Sequence, residues 1–258
     1  MAEPEAIVEP AEVAAGPVRV MPTPPAWVSI LEVILCSGFP SQLALSLLLV
    51  LAGLSATAGD RLSFPFVVAL STLDTVVILG LVALFLKARG ESLRATLLGA
   101  RPVRPEVWRG LALVPLVFAL VMVGALVIER LAPHLRNVES NPLQAMLDSP
   151  TRLAVFAVVV VVAGGVREEI QRAFILHRFE RDLGGVWVGL LLFSVAFGLG
   201  HTMQGYDAAI LTGVLGLVWG LVFLARRSVV APIVSHALFN LGELGIFYYA
   251  SRAGLIGT

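Results

Sequence analysis

The sequence predicts an all-α fold, a polytopic transmembrane bundle of seven to eight helices, and three observations carry that prediction. The composition is apolar: 58% of the 258 residues are hydrophobic and 14% are charged, with mean hydropathy +0.91. A soluble domain carries roughly 25% charged residues, so this chain has too few to cover a water-facing surface. Apolar runs long enough to cross a hydrocarbon layer recur along the chain. Basic residues collect in alternate connections between those runs.

The elements follow in order. Residues 1–25 are rich in proline and acid, with Glu3, Glu5, Glu9 and Glu12 where a cleavable signal would be positive, so they read as a flexible cytosolic tail. Residues 26–258 read as one transmembrane domain. Its first apolar block is broken at Gly38-Phe39-Pro40, because proline removes a helix hydrogen bond and restrains its predecessor. A short helix carrying Glu32 is expected first, then a span from about Ser41 to Ala58. The second span, Phe64 to Phe85, contains Asp74, an ionisable group that needs a partner or a water-filled cavity at that depth. The third covers about Leu111 to Ile128. The fourth begins near Arg152 and runs on into REEIQRAFILHRFERDLGG. The fifth, sixth and seventh cover Val186 to about Gly200, Ala208 to Leu224, and Val229 to Tyr249. Gly213, Gly216 and Gly220 in the sixth favour close helix approach.

Loop charges orient the bundle. Connections after spans two, four and six hold Lys87 through Arg109, then Arg178 and Arg181, then Arg226 and Arg227. Those after spans one and three hold Arg61, Arg130 and Arg136, and the connection after span five holds no Lys or Arg. The richer side is expected in the cytosol; if the Trp27–Cys36 block also spans, the count becomes eight and the N-terminus moves outside. The net charge of zero argues against nucleic acid as a partner. The lone cysteine, Cys36, makes no internal disulfide and, lying before a turn, reads as inert.

Polar groups in apolar helices must meet one another or enclose water. Glu168-Glu169 close the apolar part of the fourth helix, His201 closes the fifth, and His236 with Asn240 lie in the seventh. His236 and Asn240 are four apart and share one helix face, as do Phe193, Phe197 and His201. Adjacent glutamates point about 100° apart, so at most one aims straight into a given site. A carboxylate removed from bulk water suits a general base acting on water. Histidine can hold that water, and a second histidine with an amide can donate to an oxyanion. Glu168, His201 and His236 could instead ligate a catalytic zinc, so the cofactor stays open between zinc and none. Asp74 is expected to be structural, His134 and His177 solvated, and Glu243 a possible supporting group.

Three motifs carry a resemblance: EEIQR from Glu168 to Arg172, FGLGH from Phe197 to His201, and HALFN from His236 to Asn240. In this order they resemble the signature of CAAX prenyl protease type II and bacteriocin-processing proteins (CPBP or Abi), a family of intramembrane proteases. The resemblance covers roughly Leu153 to Tyr249, within a motif-bearing core of about 151–250. It implies a hydrolase with Glu168 as base, His201 as its partner on the water, Glu169 as a supporting carboxylate, and His236 and Asn240 as oxyanion stabilisers. The family is described both as a metalloprotease group and as metal-free. Its eukaryotic members remove the last three residues of prenylated proteins, so a membrane-associated or lipidated peptide is the expected partner beside membrane lipid. A multi-pass protein of a bacterial inner membrane is the expected location. One departure stands out: the family places three residues between the glutamate pair and its arginine, whereas only two separate Glu169 from Arg172 and Ala173 takes the usual place. Arg172 therefore receives no catalytic role.

Two further classes remain open. A transporter or proton relay would also bury Asp, Glu and His, but the sequence shows no internal repeat to support one. A non-catalytic scaffold on the same fold would tolerate the displaced arginine.

Overall fold

The computed structural model describes residues 24–139 and 141–255, so nearly all of the expected N-terminal tail lies outside the described residues. The described residues are all-α apart from one small hairpin, in which Thr57–Ala58 pairs with Arg61–Leu62. Ten α-helices are described: α1 (Ala26–Leu35), α2 (Phe39–Leu51), α3 (Phe64–Ala88), α4 (Leu93–Leu97), α5 (Val103–Leu131), α6 (Pro150–Val159), α7 (Glu168–Asp182), α8 (Val186–Leu199), α9 (Tyr206–Arg226) and α10 (Val230–Arg252). A π-helical segment, Val160–Arg167, joins α6 to α7 without a break in helical geometry.

Local chemistry explains the boundaries. Gly38, at φ 88°, turns the chain between α1 and α2, and Pro40 starts α2 where its missing N–H costs nothing. The two helices meet at a 43° bend. The expected first span is shorter than drawn, since α2 ends at Leu51 and the chain turns into the hairpin. Ser149 caps α6 by accepting from the Arg152 backbone N–H at 3.3 Å, with Pro150 in the first turn.

Four helices among the described residues are long and apolar enough to cross a membrane: α3, α5, α9 and α10. The bent α1–α2 pair makes a fifth if it is counted as one span. By length and composition alone, two of the expected runs do not qualify. The fourth expected span is divided by the π segment, and its second half, α7, is polar. The fifth, α8, has 14 residues, against about 20 needed to cross hydrocarbon.

The connections gather at two ends. Arg89, Arg178 and Arg181 share Glu32, Glu91 and Asp182, while Arg226 binds Glu106 and Arg227 binds Glu180. These are the connections that sequence charge had grouped on one side. At the other end, Arg61 reaches the Ala145 carbonyl, Asn141 reaches Gln204, and Arg136 lies beside Asp207.

Glycines bring the helices over the site close together. A Cβ on Gly198 would lie 2.6 Å from the Ala209 carbonyl oxygen, and one on Gly216 would lie 3.0 Å from the Phe197 ring, so α8 and α9 pack backbone to backbone. The Gly213, Gly216 and Gly220 stripe serves this contact, as its spacing suggested. On the bundle exterior, Leu43, Leu116, Met122, Leu191 and Val195 are exposed, as suits side chains that meet lipid.

Candidate active site

Glu168 does not end a helix. It lies near the middle of the continuous run from Pro150 to Asp182. The chain then reverses through Leu183–Gly185, and α8 returns antiparallel along α7, with Gly189 against Phe179 and Leu190 against Leu176. Glu168 and His201 stand almost equally far from that reversal along the chain, which brings the level of one toward that of the other. Seven equal spans would have put His201 on the opposite side of the membrane; the polar α7 and short α8 remove that conflict.

The π segment seats the next two residues. Gly164 and Gly165 have no side chain between this segment and α10. A Cβ on Gly165 would lie 2.7 Å from the Ala237 Cβ, and one on Gly164 would lie 2.5 Å from Asn240 Nδ2. The π geometry also frees a carbonyl, and the Asn240 amide donates to Val160 O at 3.4 Å. His236 and Asn240 are thereby held on the α10 face that meets the glutamates.

Glu169 is buried among charges. Its Oε1 accepts from His236 Nδ1 at 2.8 Å, and it is ion-paired with Arg172. A carboxylate only accepts, so Nδ1 carries the hydrogen and Nε2 of His236 is left for the other side of the ring. Trp219 stacks on that ring, with centroids 3.8 Å apart and a 16° interplanar angle, and Trp219 Nε1 donates to Ser235 Oγ at 3.0 Å. Arg172, fully buried, lies over the rings of Phe193, Phe197 and Trp219 at 5.1, 4.9 and 5.8 Å. The displaced arginine thus has a defined place, three residues after Glu169 on the same face.

Glu168 differs from its neighbour. Its Oε2 lies 3.8 Å from His236 Nε2, and its Oε1 lies 3.9 Å from Arg167. Both separations exceed a direct hydrogen bond and leave room for a bridging water. His201 Nδ1 lies 2.8 Å from the Phe197 carbonyl, which can only accept, so Nε2 of His201 is the free nitrogen. Glu168, His201, His236 and Asn240 line one cavity of about 380 Å³. Glu169 does not line it and reaches it through His236.

Sequence reasoning passed over several neighbours. Arg167 lines the cavity, is ion-paired with Asp74 at 2.8 Å, and donates to Gln171 Oε1 at 2.9 Å. Gln171 in turn donates to the Cys36 carbonyl, and Ser41 donates to Asp74. These contacts tie the α1–α2 bend to the residue next to Glu168. The signal was the buried Asp74, whose need for a cation pointed to an arginine in another apolar helix. Glu243 also lines the cavity, one turn beyond Asn240. His177, expected to be solvated, is helical, half-buried and 3.3 Å from Glu91.

Zinc does not fit this arrangement. Among the described residues, no three His, Cys, Asp or Glu side chains converge closely enough to hold a metal ion. Glu168, His201 and His236 share a cavity but do not form a ligand set.

Comparison with known proteins gives one match. Residues 150–242 match the family model described as Type II CAAX prenyl endopeptidase Rce1-like. Neither a comparison with the curated proteins nor one with the solved structures gives a match.

Proposed function

We propose, from the match of residues 150–242 to the Type II CAAX prenyl endopeptidase Rce1-like family model, that the chain hydrolyses a peptide bond of a membrane-associated substrate with a water activated by Glu168. The observation that carries this reading is the open coordination of Glu168. Its neighbour Glu169 is held through Oε1 by both His236 and Arg172, whereas Glu168 lines the cavity with His236 Nε2 and Arg167 Nη1 no nearer than 3.8 and 3.9 Å.

Glu168 takes a proton from a water that His201 Nε2 helps to hold. The water oxygen attacks the scissile carbonyl carbon, and the carbonyl oxygen becomes an oxyanion. His236 Nε2 and the second Asn240 amide hydrogen donate to it. For Nε2 to donate while Nδ1 donates to Glu169, the ring must be an imidazolium. The buried Glu169 carboxylate supplies the countercharge and Trp219 fixes the ring plane. Glu168 then passes its proton to the leaving amine as the C–N bond breaks. Arg172 acts through Glu169 and touches no reacting atom.

The test uses the full-length protein in proteoliposomes with internally quenched peptides, one farnesylated and one carrying an apolar anchor. Glu168→Gln should lower kcat by about 10²–10⁴-fold, the usual contribution of a positioned general base, with an unchanged Tm. His201→Ala and His236→Ala should also lose cleavage. A folded Glu168→Gln protein cutting at the wild-type rate would refute the assignment.

A further inference from the structure

One face of α10 carries more than His236 and Asn240. Glu243 follows them at helical spacing, so the three form one stripe along the helix, and all three line the cavity. Glu243 differs from the other charged groups of that lining. Arg167 is paired with Asp74, and Glu168 lies beside His236 and Arg167. Among the described residues, the Glu243 carboxylate has neither an ion pair nor a hydrogen bond. A carboxylate in an apolar helix calls for a cation or for water, and the described residues supply no cation. The neighbouring wall is apolar: Leu244 packs with Met146 and Phe156, beside Leu143, and Leu143, Phe156 and Leu244 line the cavity.

We infer that Glu243 determines specificity: it selects a peptide carrying a lysine or arginine side chain two or three residues from the scissile bond. The inference rests on the hydrolase reading for where that bond lies. A helix rises about 1.5 Å per residue, so Glu243 stands about 4.5 Å beyond Asn240 and about 10 Å beyond His236 along α10. An extended peptide advances about 3.3 Å per residue. With its carbonyl oxygen between His236 and Asn240, a chain lying along α10 brings its second or third residue level with Glu243. The wall suits such a side chain, because the methylene stem of lysine or arginine packs on apolar surface while its charged head meets the carboxylate. An anionic side chain has no equivalent partner, since Arg167, the one guanidinium of the lining, is already held by Asp74.

The test uses the full-length protein in proteoliposomes and a set of apolar-anchored, internally quenched peptides. Each carries glutamine at the three positions on either side of the scissile bond, replaced one at a time by lysine or by glutamate. Lysine two or three residues from the bond, on one side of it, should raise kcat/KM about 10–100-fold over glutamine, the worth of a hydrogen bond to a charged group. Lysine next to the bond should give no such gain. Glu243→Gln should bring the lysine-to-glutamine ratio near one, and Glu243→Lys should turn the preference toward glutamate. Glu243→Gln keeps the size of the side chain and so reports even where Glu243→Lys does not fold. The same ratios are read as Kd on Glu168→Gln protein with and without Glu243→Gln, which needs no cleavage. Equal handling of lysine and glutamine peptides, a lysine gain at every position, a preference that survives Glu243→Gln, or no binding of the lysine peptides overturns the inference. A binding preference that depends on Glu243 in a protein whose wild type cuts none of the peptides would instead sink the hydrolysis reading and leave the selectivity of the cavity standing.

Discussion

Two clusters of ionised side chains hang from α7, and they are built to opposite ends. Toward Asp182, the cluster of Glu32, Arg89, Glu91, Arg178 and Arg181 cross-links its members, so each carboxylate meets at least two cations. Toward Glu168, Arg172 is ion-paired with Glu169, Glu169 accepts from His236, and the line stops at Glu168, which faces the cavity. The first cluster joins helices at the end of the bundle. The second leaves one carboxylate able to act on something other than protein. Buried charge is costly unless paired, so an incompletely paired group inside such a network is where chemistry is to be sought.

That contrast can be broken by removing one carboxylate from each cluster. Glu169→Gln strands Arg172, which has no other anion in contact, and frees the His236 ring; breaking a buried pair in this way costs about 3–5 kcal/mol. A large fall in Tm, with cleavage lost in whatever remains folded, is expected. A Tm equal to wild type would mean that Glu169 does not hold Arg172 and His236 in place. Glu91→Gln should cost less, about 1.5–3 kcal/mol for weakened hydrogen bonds to charged groups, because Arg178 keeps Glu32. Its cleavage rate per folded molecule should stay at the wild-type level, and a fall would tie the outer cluster to the chemistry. Gly164→Ala sharpens the comparison at the π segment. The added Cβ would meet Asn240 Nδ2 at 2.5 Å, so overpacking of about 1–3 kcal/mol should come with slower turnover at unchanged KM.

The smallest effect is expected at the Glu180–Arg227 pair, at the loop end of α7. Hydrogen bonds from Arg227 hold the Glu180 carboxyl below its ordinary value of 4.5. A carboxyl lowered on folding contributes stability above its unfolded pKa and loses it as pH falls through the folded value. Both side chains are exposed at 55% and 36%, so solvent screening limits the gain to roughly 0.5 kcal/mol. Arg227→Gln should lower Tm slightly at pH 7, and the difference should vanish in melts near pH 3.

Much of the fold was legible in the chain. The apolar runs of α3, α5, α9 and α10 are long and uninterrupted, and helix formation in hydrocarbon depends on little else. The turn at Gly38-Phe39-Pro40 and the small-residue stripe of α9 were also legible, because both act through local sterics. The number of full spans was not. Whether an apolar 14-residue helix or a half-polar run crosses depends on what surrounds it, as α8 and α7 illustrate. Within the site, the shared face of His236 and Asn240 followed from spacing alone. The Asp74–Arg167 pair did not, since its members lie in helices far apart in sequence.

The sequence by itself determined that this protein is a helical membrane bundle, which ends of its helices carry positive charge, and which polar residues had to find company in an apolar interior. These follow from hydrophobicity, loop charge and helical period, which are properties of the local chain. Only the tertiary structure decided which glutamate is paired and which is open, and how far α8 carries His201 back along α7. Those outcomes depend on the register of one helix against another. That register is set by turns, by glycine contacts and by ion pairs between residues distant in the sequence.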